Sequence, residues 1–359
     1  MVETTELLRV RDLCRYYRQS SLPWRRAGRV HAADGVSFDI DRGQAFGLVG
    51  ESGSGKSTVA RCVLRLEKPD SGSIVLDGTD ITRLSDSRLR PLRRQVQTVF
   101  QDPASSLNPR WQIADIVAEP LHSFGYDKPA RDRRVHEVID LVGLSRGRLH
   151  AYPHQLSGGQ QQRVAIARAL TLNPALIVAD EPLSALDVSI QAQVLNLLLD
   201  LKRDFGIAYL FISHDLPVTQ HLCDTVAVFH LGKIVESGPS SEVFRTPAHP
   251  YTAALVSAAP AELSADRPVR ERIVLEGEQP SPVNPPSGCR FRTRCFRATE
   301  ECAVTEPPLV EISSGHRVAC YHPILSDLFQ PSDGQAVPSD RQAVLSGNQA
   351  VSSDSQTER

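Results

Sequence analysis

The chain has 359 residues, 41% of them hydrophobic and 23% charged, with a formal net charge of −2. That composition is ordinary for a globular protein with room for two or three domains, and its near-neutral balance argues against a strongly basic nucleic-acid binder. No charged-then-apolar leader and no apolar run near the ~18–20 residues of a membrane span is present, so a cytosolic chain is expected that reaches a membrane only through a partner.

Glu6–Asp12 reads as a first strand. Tyr16-Tyr17 then offers either edge-strand packing or a face on which a base could stack. The basic stretch 18–31 reads as a solvated loop. Ser37–Ile40 and Gln44–Val49 read as strands joined by the turn 41–43. The run that follows, Gly50-Glu51-Ser52-Gly53-Ser54-Gly55-Lys56-Ser57-Thr58, fits G-x-x-x-x-G-K-[ST]. A triphosphate needs backbone N–H groups aimed at its oxygens from close range, and glycines let the chain wrap that tightly. Lys56 supplies a point charge for the β- and γ-phosphates, and the Ser57 hydroxyl suits Mg²⁺. Ser57–Leu66 reads as a helix whose N-terminus faces the phosphates. A nucleoside triphosphate site is expected here.

Ser73–Leu76 and Gln95–Phe100 read as further strands. Between them and Leu170 the period turns helical, with Ile113–Glu119, Arg131–Val142 and Gly158–Leu170 carrying apolar residues at three- and four-residue steps. We read this as a helical subdomain, about 102–172, inserted into an α/β core. Ala175–Ala179 is a buried-type strand ending in Asp180-Glu181. In a P-loop protein the first carboxylate suits Mg²⁺ and the second suits the attacking water. A long helix over Ile190–Phe205 precedes strands Ala208–Ser213, Thr225–His230 and Lys233–Glu236.

Leu156-Ser157-Gly158-Gly159-Gln160 opens a helix with a serine and two glycines, which makes a second anion site. One nucleotide has one γ-phosphate, so two such sites per chain imply a head-to-tail dimer. Each nucleotide would lie between one subunit's P-loop and its partner's Ser157–Gly159.

With these motifs in order, residues 6–260 closely resemble the ATP-binding cassette family. The resemblance implies a P-loop nucleotide-binding domain with an inserted helical subdomain, and ATP hydrolysis with Mg²⁺. It places Gln101 in the Q-loop, at Mg²⁺ or the lytic water and signalling to membrane subunits. Leu156–Gln160 is the signature, and Asp180-Glu181 closes the second Walker motif. Asp187 lies in the D-loop, His214 is the switch histidine on the γ-phosphate, and Tyr17, or alternatively Tyr16, stacks on adenine. Glu181, His214 and Gln101 are the implied catalytic residues. His249-Pro250-Tyr251-Thr252 and the wording 181–189 look like the dipeptide/oligopeptide importer ATPases of bacteria. The implied partners are a second cassette subunit, two membrane permease subunits and, indirectly, an extracytoplasmic solute-binding protein, with this chain on the cytoplasmic face of the cell membrane. Importers of nickel, glutathione or opines use similar subunits. A soluble cassette ATPase acting on nucleic acid or ribosomes is the alternative from another class.

Composition changes after about 260, and prolines crowd 279–286. We therefore expect a cysteine-containing extension over 261–329 and a disordered tail over 330–359. Cys289, Cys295, Cys302 and Cys320 are spaced x5, x6 and x17, without the C-x2-C pairing of zinc ribbons. Four soft ligands of this kind suit zinc or an iron–sulfur cluster, or stand as free thiols. The importer resemblance implies a [4Fe-4S] cluster, and Arg290, Arg292, Arg294 and Arg297 would offset its negative charge.

Overall fold

The computed structural model describes residues 6–18, 28–259 and 272–324. In chain order it runs β1 (Glu6–Arg18), β2 (Arg29–Asp41), β3 (Ala45–Val49), α1 (Lys56–Val63), β4 (Ser71–Leu76) and β5 (Thr79–Asp80). Next come α2 (Asp86–Leu89), β6 (Val96–Val99), α3 (Pro103–Ser106), α4 (Ile113–Ser123), α5 (Lys128–Leu141) and α6 (Gly158–Leu170). Then follow β7 (Leu176–Asp180), α7 (Val188–Phe205), β8 (Ala208–Ser213), α8 (Leu216–Leu222), β9 (Thr225–His230) and β10 (Lys233–Pro239). The described chain closes with α9 (Ser240–Arg245), α10 (Pro250–Ala258), α11 (Glu301–Val304), β11 (Val310–Ser313) and β12 (His316–Val318).

Two sheets organise these elements. The larger has the order β11-β12-β10-β9-β3-β8-β7-β6, and the smaller β2-β1-β4-β5 is antiparallel. Within the larger, β9, β3, β8, β7 and β6 run parallel. Parallel strands covered on both faces must be apolar throughout, which is why Ala45–Val49 and Ala208–Ser213 are buried at every position. Alternate residues still go to opposite faces. Phe46, Leu48, Val178, Leu210 and Ile212 pack with β1, β2 and α1, whereas Val49, Ile177, Tyr209 and Phe211 pack with α4 to α7.

Local signals place the helix ends. Ser157 and Gln160 form a reciprocal capping box at the start of α6. Asp187 caps α7 by accepting from the Ile190 amide, and Gly206 ends it in the left-handed region at φ 63°. The first strand is longer than the pattern implied and carries both Tyr16 and Tyr17 within it. The cysteine segment does not hang apart from the core. Its hairpin β11–β12 extends the main sheet by antiparallel pairing of β12 with β10. The expected tail at 330–359 and most of the basic stretch, 19–27, lie outside the described residues. Among the described residues no helix is long and apolar enough to cross a membrane.

Candidate active site

The carboxyl ends of four adjacent parallel strands converge on one edge of the sheet. β3 runs into Gly50, β8 into His214, β7 into Glu181, and β6 reaches Gln101 two residues past its last member. Such an edge is where open α/β sheets hold their ligands.

The loop after β3 wraps where only glycine fits. Gly55 has φ 110°, and a Cβ there would stand 1.8 Å from the Ala32 carbonyl oxygen. Lys56 is 4% exposed, and its Nζ donates to the carbonyls of Gly50 (2.8 Å) and Glu51 (2.9 Å). Burial pushes its ammonium below the ordinary lysine range, opposed by the charges of Glu181, Asp180 and Glu51. Ser52 and Gly53 face solvent, while Ser54 and Thr58 are buried. The Ser57 hydroxyl donates to Asp180 Oδ1 at 3.0 Å, so two of the three residues expected at Mg²⁺ are adjacent. Burial raises the Asp180 carboxyl pKa. The Ser57 bond works against that rise and the Glu181 charge adds to it.

Glu181 is the meeting point. Gln101 Nε2 donates to its Oε2 at 3.0 Å, and His214 Nδ1 lies 3.3 Å from its Oε1. Its backbone has φ 48°, a left-handed conformation that costs a non-glycine residue about 1–3 kcal/mol and clusters at functional positions. Its amide bonds the Ile212 carbonyl at 2.9 Å, which ties the strained residue to β8.

Tyr16 and Tyr17 are separated by the strand's alternation. Tyr17 lies against α1, with its hydroxyl on Glu67 and 3.5 Å from Thr58 Oγ1, and Arg15 sits 4.8 Å over its ring. Tyr16 points elsewhere, donating to Asp34 Oδ1 at 2.6 Å. Tyr17 is therefore the aromatic beside the P-loop helix. At the start of α6, Ser157 and Gly158 are exposed. Gly159 is buried, and a Cβ on it would meet Ile190 Cγ2 at 2.4 Å. Asp187 uses a carboxylate oxygen to cap α7, 3.0 Å from the Ile190 amide.

The four cysteines are free thiols lining one small cavity together with Arg292 and Arg297. Among the described residues, however, no group of three or more His, Cys, Asp or Glu side chains is arranged to hold a metal ion. The expected role of the arginines also needs correction. Arg290 pairs with Asp34 and Arg294 with Glu51, so these two neutralise carboxylates of the nucleotide-binding core rather than sulfur.

Sequence reasoning did not find this second layer around the P-loop. The Glu51 amide donates to Tyr251 Oη at 2.9 Å, and its carboxylate accepts from Arg294 at 3.0 Å. The partners lie 200 and 243 residues along the chain, beyond the reach of any local pattern. Beneath them His230 packs 4.5 Å from the Tyr251 ring and 5.5 Å from Phe291. Burial first, then the Arg294 and Arg290 charges, push His230 down to about 4 from 6.5. Well above pH 6.5 the imidazole is neutral in folded and unfolded chains alike and stability is unaffected. As pH falls towards 4 the unfolded chain takes up a proton that the folded one refuses, so stability drops, by roughly 2 kcal/mol at pH 5. Buried His249 is depressed likewise and adds to the slope. His230→Phe should flatten the acid side of a Tm-versus-pH curve, and an unchanged slope would refute this account.

Comparison with known proteins agrees with the site. Residues 33–184 match the ABC transporter family, and residues 235–302 match the oligopeptide/dipeptide transporter C-terminal region. The chain is 49% identical over 318 residues to the oligopeptide transport ATP-binding protein AppF of Bacillus subtilis, covering 88% of this chain and 97% of that one. It is 50% identical over 318 residues to a putative peptide import ATP-binding protein of Brucella ovis, covering 88% and 98%. Among solved structures, the dimeric ATP-binding cassette MJ0796 in a post-hydrolysis state with ADP and Pi superimposes with a TM-score of 0.59 at 30% identity, covering 65% of this chain and 99% of that one. The ordered motifs, the convergent strand ends and these similarities make the chain a member of the ATP-binding cassette transporter ATPases, of the oligopeptide/dipeptide type.

Proposed function

We propose that this chain hydrolyses ATP to power the import of peptides through a membrane transporter. The observation that carries the reading is the meeting of Gln101, Glu181 and His214 beside Ser57–Asp180 and Lys56. Glu181 accepts the proton of the attacking water, and its strained backbone and two polar neighbours fix the carboxylate where the water must sit. Lys56 and His214 stabilise the charge that gathers on the transferring phosphoryl group. Mg²⁺ would be held by Ser57, Asp180 and Gln101, and would supply positive charge that neutralises the phosphates. Tyr17 faces the base.

Ser157, Gly158, Gly159 and Gln160 complete the site of a partner cassette, whose own signature completes this one, with Asp187 at the contact between them. Closure on two MgATP and reopening after hydrolysis drive two permease subunits on the cytoplasmic face of the membrane. An extracytoplasmic binding protein delivers the solute. The test is ATP-dependent uptake of labelled peptides into vesicles carrying the assembled transporter. Uptake of nickel, glutathione or opines with none of peptides would overturn the substrate; hydrolysis without any transport would overturn the coupling.

Cys289, Cys295, Cys302 and Cys320 would hold a [4Fe-4S] cluster, or alternatively zinc. Their convergence on one cavity and the Arg297 amide 3.4 Å from Cys295 Sγ support this. A group bound there would act as a staple for a short, loop-rich segment. Cys302→Ser should lower the iron and acid-labile sulfide of anaerobically purified protein and lower its Tm. Unchanged metal content in that variant refutes the four-cysteine set.

A further inference from the structure

The segment between the first two cysteines, Cys289-Arg290-Phe291-Arg292-Thr293-Arg294-Cys295, touches the nucleotide-binding core at three places. Arg290, with a side chain 9% exposed, pairs through Nη2 with Asp34 and bonds the Leu231 carbonyl through Nη1. Asp34 in turn accepts from the Tyr16 hydroxyl, and Tyr16 is the strand neighbour of Tyr17. Leu231 begins the turn whose next residue, Gly232, donates its amide to the Ser54 carbonyl inside the P-loop at 2.8 Å. Arg294, 11% exposed at its side chain, bonds both carboxylate oxygens of Glu51, at 3.2 and 3.0 Å. Phe291 is 1% exposed and wedges between these two grips, its ring 5.2 Å from that of Tyr251, which holds the Glu51 amide.

We propose that this segment is a two-ended clamp on the nucleotide cleft. Arg294 is a positioning residue for the phosphate loop, and Arg290 is one for the strand that carries the adenine-facing aromatic. The proposal rests on reading that cleft as the ATP site. Its physical basis is the buried guanidinium charge. Each arginine is nearly desolvated, Arg290 bonding Asp34 and Leu231 through separate nitrogens and Arg294 bonding both Glu51 oxygens through Nη1, so neither carboxylate can shift without leaving a buried charge unpaired. Glu51 is held at side chain and main chain together, which fixes the peptide that begins the phosphate-cradling loop. Both ends of the clamp are cysteines of the common cavity, and the Cys289 amide is itself bonded to the Cys302 carbonyl at 2.8 Å. The geometry of the sulfur set is thereby transmitted to both ends of the cleft.

The test measures affinities of the full-length chain for fluorescent MgATP and, by competition, for magnesium tripolyphosphate, which has no base. Arg294→Ala should weaken both ligands by about five- to ten-fold, the range of indirect positioning effects. Arg290→Ala should weaken MgATP by a similar factor and tripolyphosphate by less, because only its Leu231 contact reaches the P-loop, through Gly232. Glu51→Gln, Arg294→Ala and the double variant should lose similar amounts, because the pair acts as one unit. Circular dichroism melts confirm that each variant is folded at the assay temperature, and Arg294→Lys serves where alanine does not fold. Equal losses on both ligands in both arginine variants would reduce the contacts to general stability and overturn the clamp, as would additive losses in the double variant. Lys56→Ala separates the two questions. Wild-type affinity in that variant overturns the nucleotide-site reading itself, whereas loss of affinity there beside an unchanged Arg294→Ala overturns the clamp alone.

Discussion

Glu181→Gln is expected to bind MgATP as tightly as the natural chain while turnover falls by about 10²–10⁴-fold, the usual worth of a positioned general base. The substitution changes little else. Glutamine has the same length and can keep a hydrogen bond to Gln101, whose Nε2 now donates to Glu181 Oε2. It cannot take a proton from water. The P-loop, Ser57 and Asp180 are untouched, so nucleotide affinity survives and the ATP-loaded form accumulates. In a cassette that closes head to tail, that form is the dimer. Size-exclusion chromatography with MgATP should therefore show a dimer peak that the natural chain forms only transiently. Turnover within a few-fold of normal would remove Glu181 from the role of base, and loss of ATP binding would make it a structural ligand instead.

Lys56→Ala is expected to raise the MgATP dissociation constant by about 100-fold or more, the scale on which a buried charge-assisted contact is lost. The loop's own amides remain, so a weak anion site persists. What disappears is the cation facing Asp180 and Glu181, both of which act on Lys56 electrostatically. Without it two carboxylates confront the incoming phosphates, and repulsion adds to the lost attraction. Fluorescence titration with a labelled ATP measures the effect directly. Affinity within about three-fold of the natural chain would show that the phosphates do not lie where the loop points.

Much of this was legible locally because the signals are local. A P-loop motif is eight consecutive residues, and its physics resides in their backbone freedom and one lysine. Ser157 with Gln160 announces a helix start across three residues, as Asp187 does for α7. Unbroken apolar runs distinguished the two-sided parallel strands, since burial on both faces disfavours polar positions. The placement of Asp180-Glu181 at the end of such a run followed for the same reason.

Other assignments depended on neighbours far along the chain. Tyr16 and Tyr17 are chemically identical, and only the pleat of β1 decides that Tyr17 faces α1 while Tyr16 faces Asp34. Four arginines among four cysteines read as counter-charges to sulfur, yet Arg290 and Arg294 go to carboxylates of the core. A buried guanidinium takes the nearest carboxylate that can offset its charge, and which one is nearest is a property of the folded chain. The sequence by itself determined the chemistry of the cleft, because each motif carries its own backbone geometry and charge. Only the tertiary structure decided that the cysteine segment joins the main sheet and grips that cleft, because the first depends on strand pairing between Glu236–Ser237 and Arg317–Val318 and the second on contacts more than 200 residues apart.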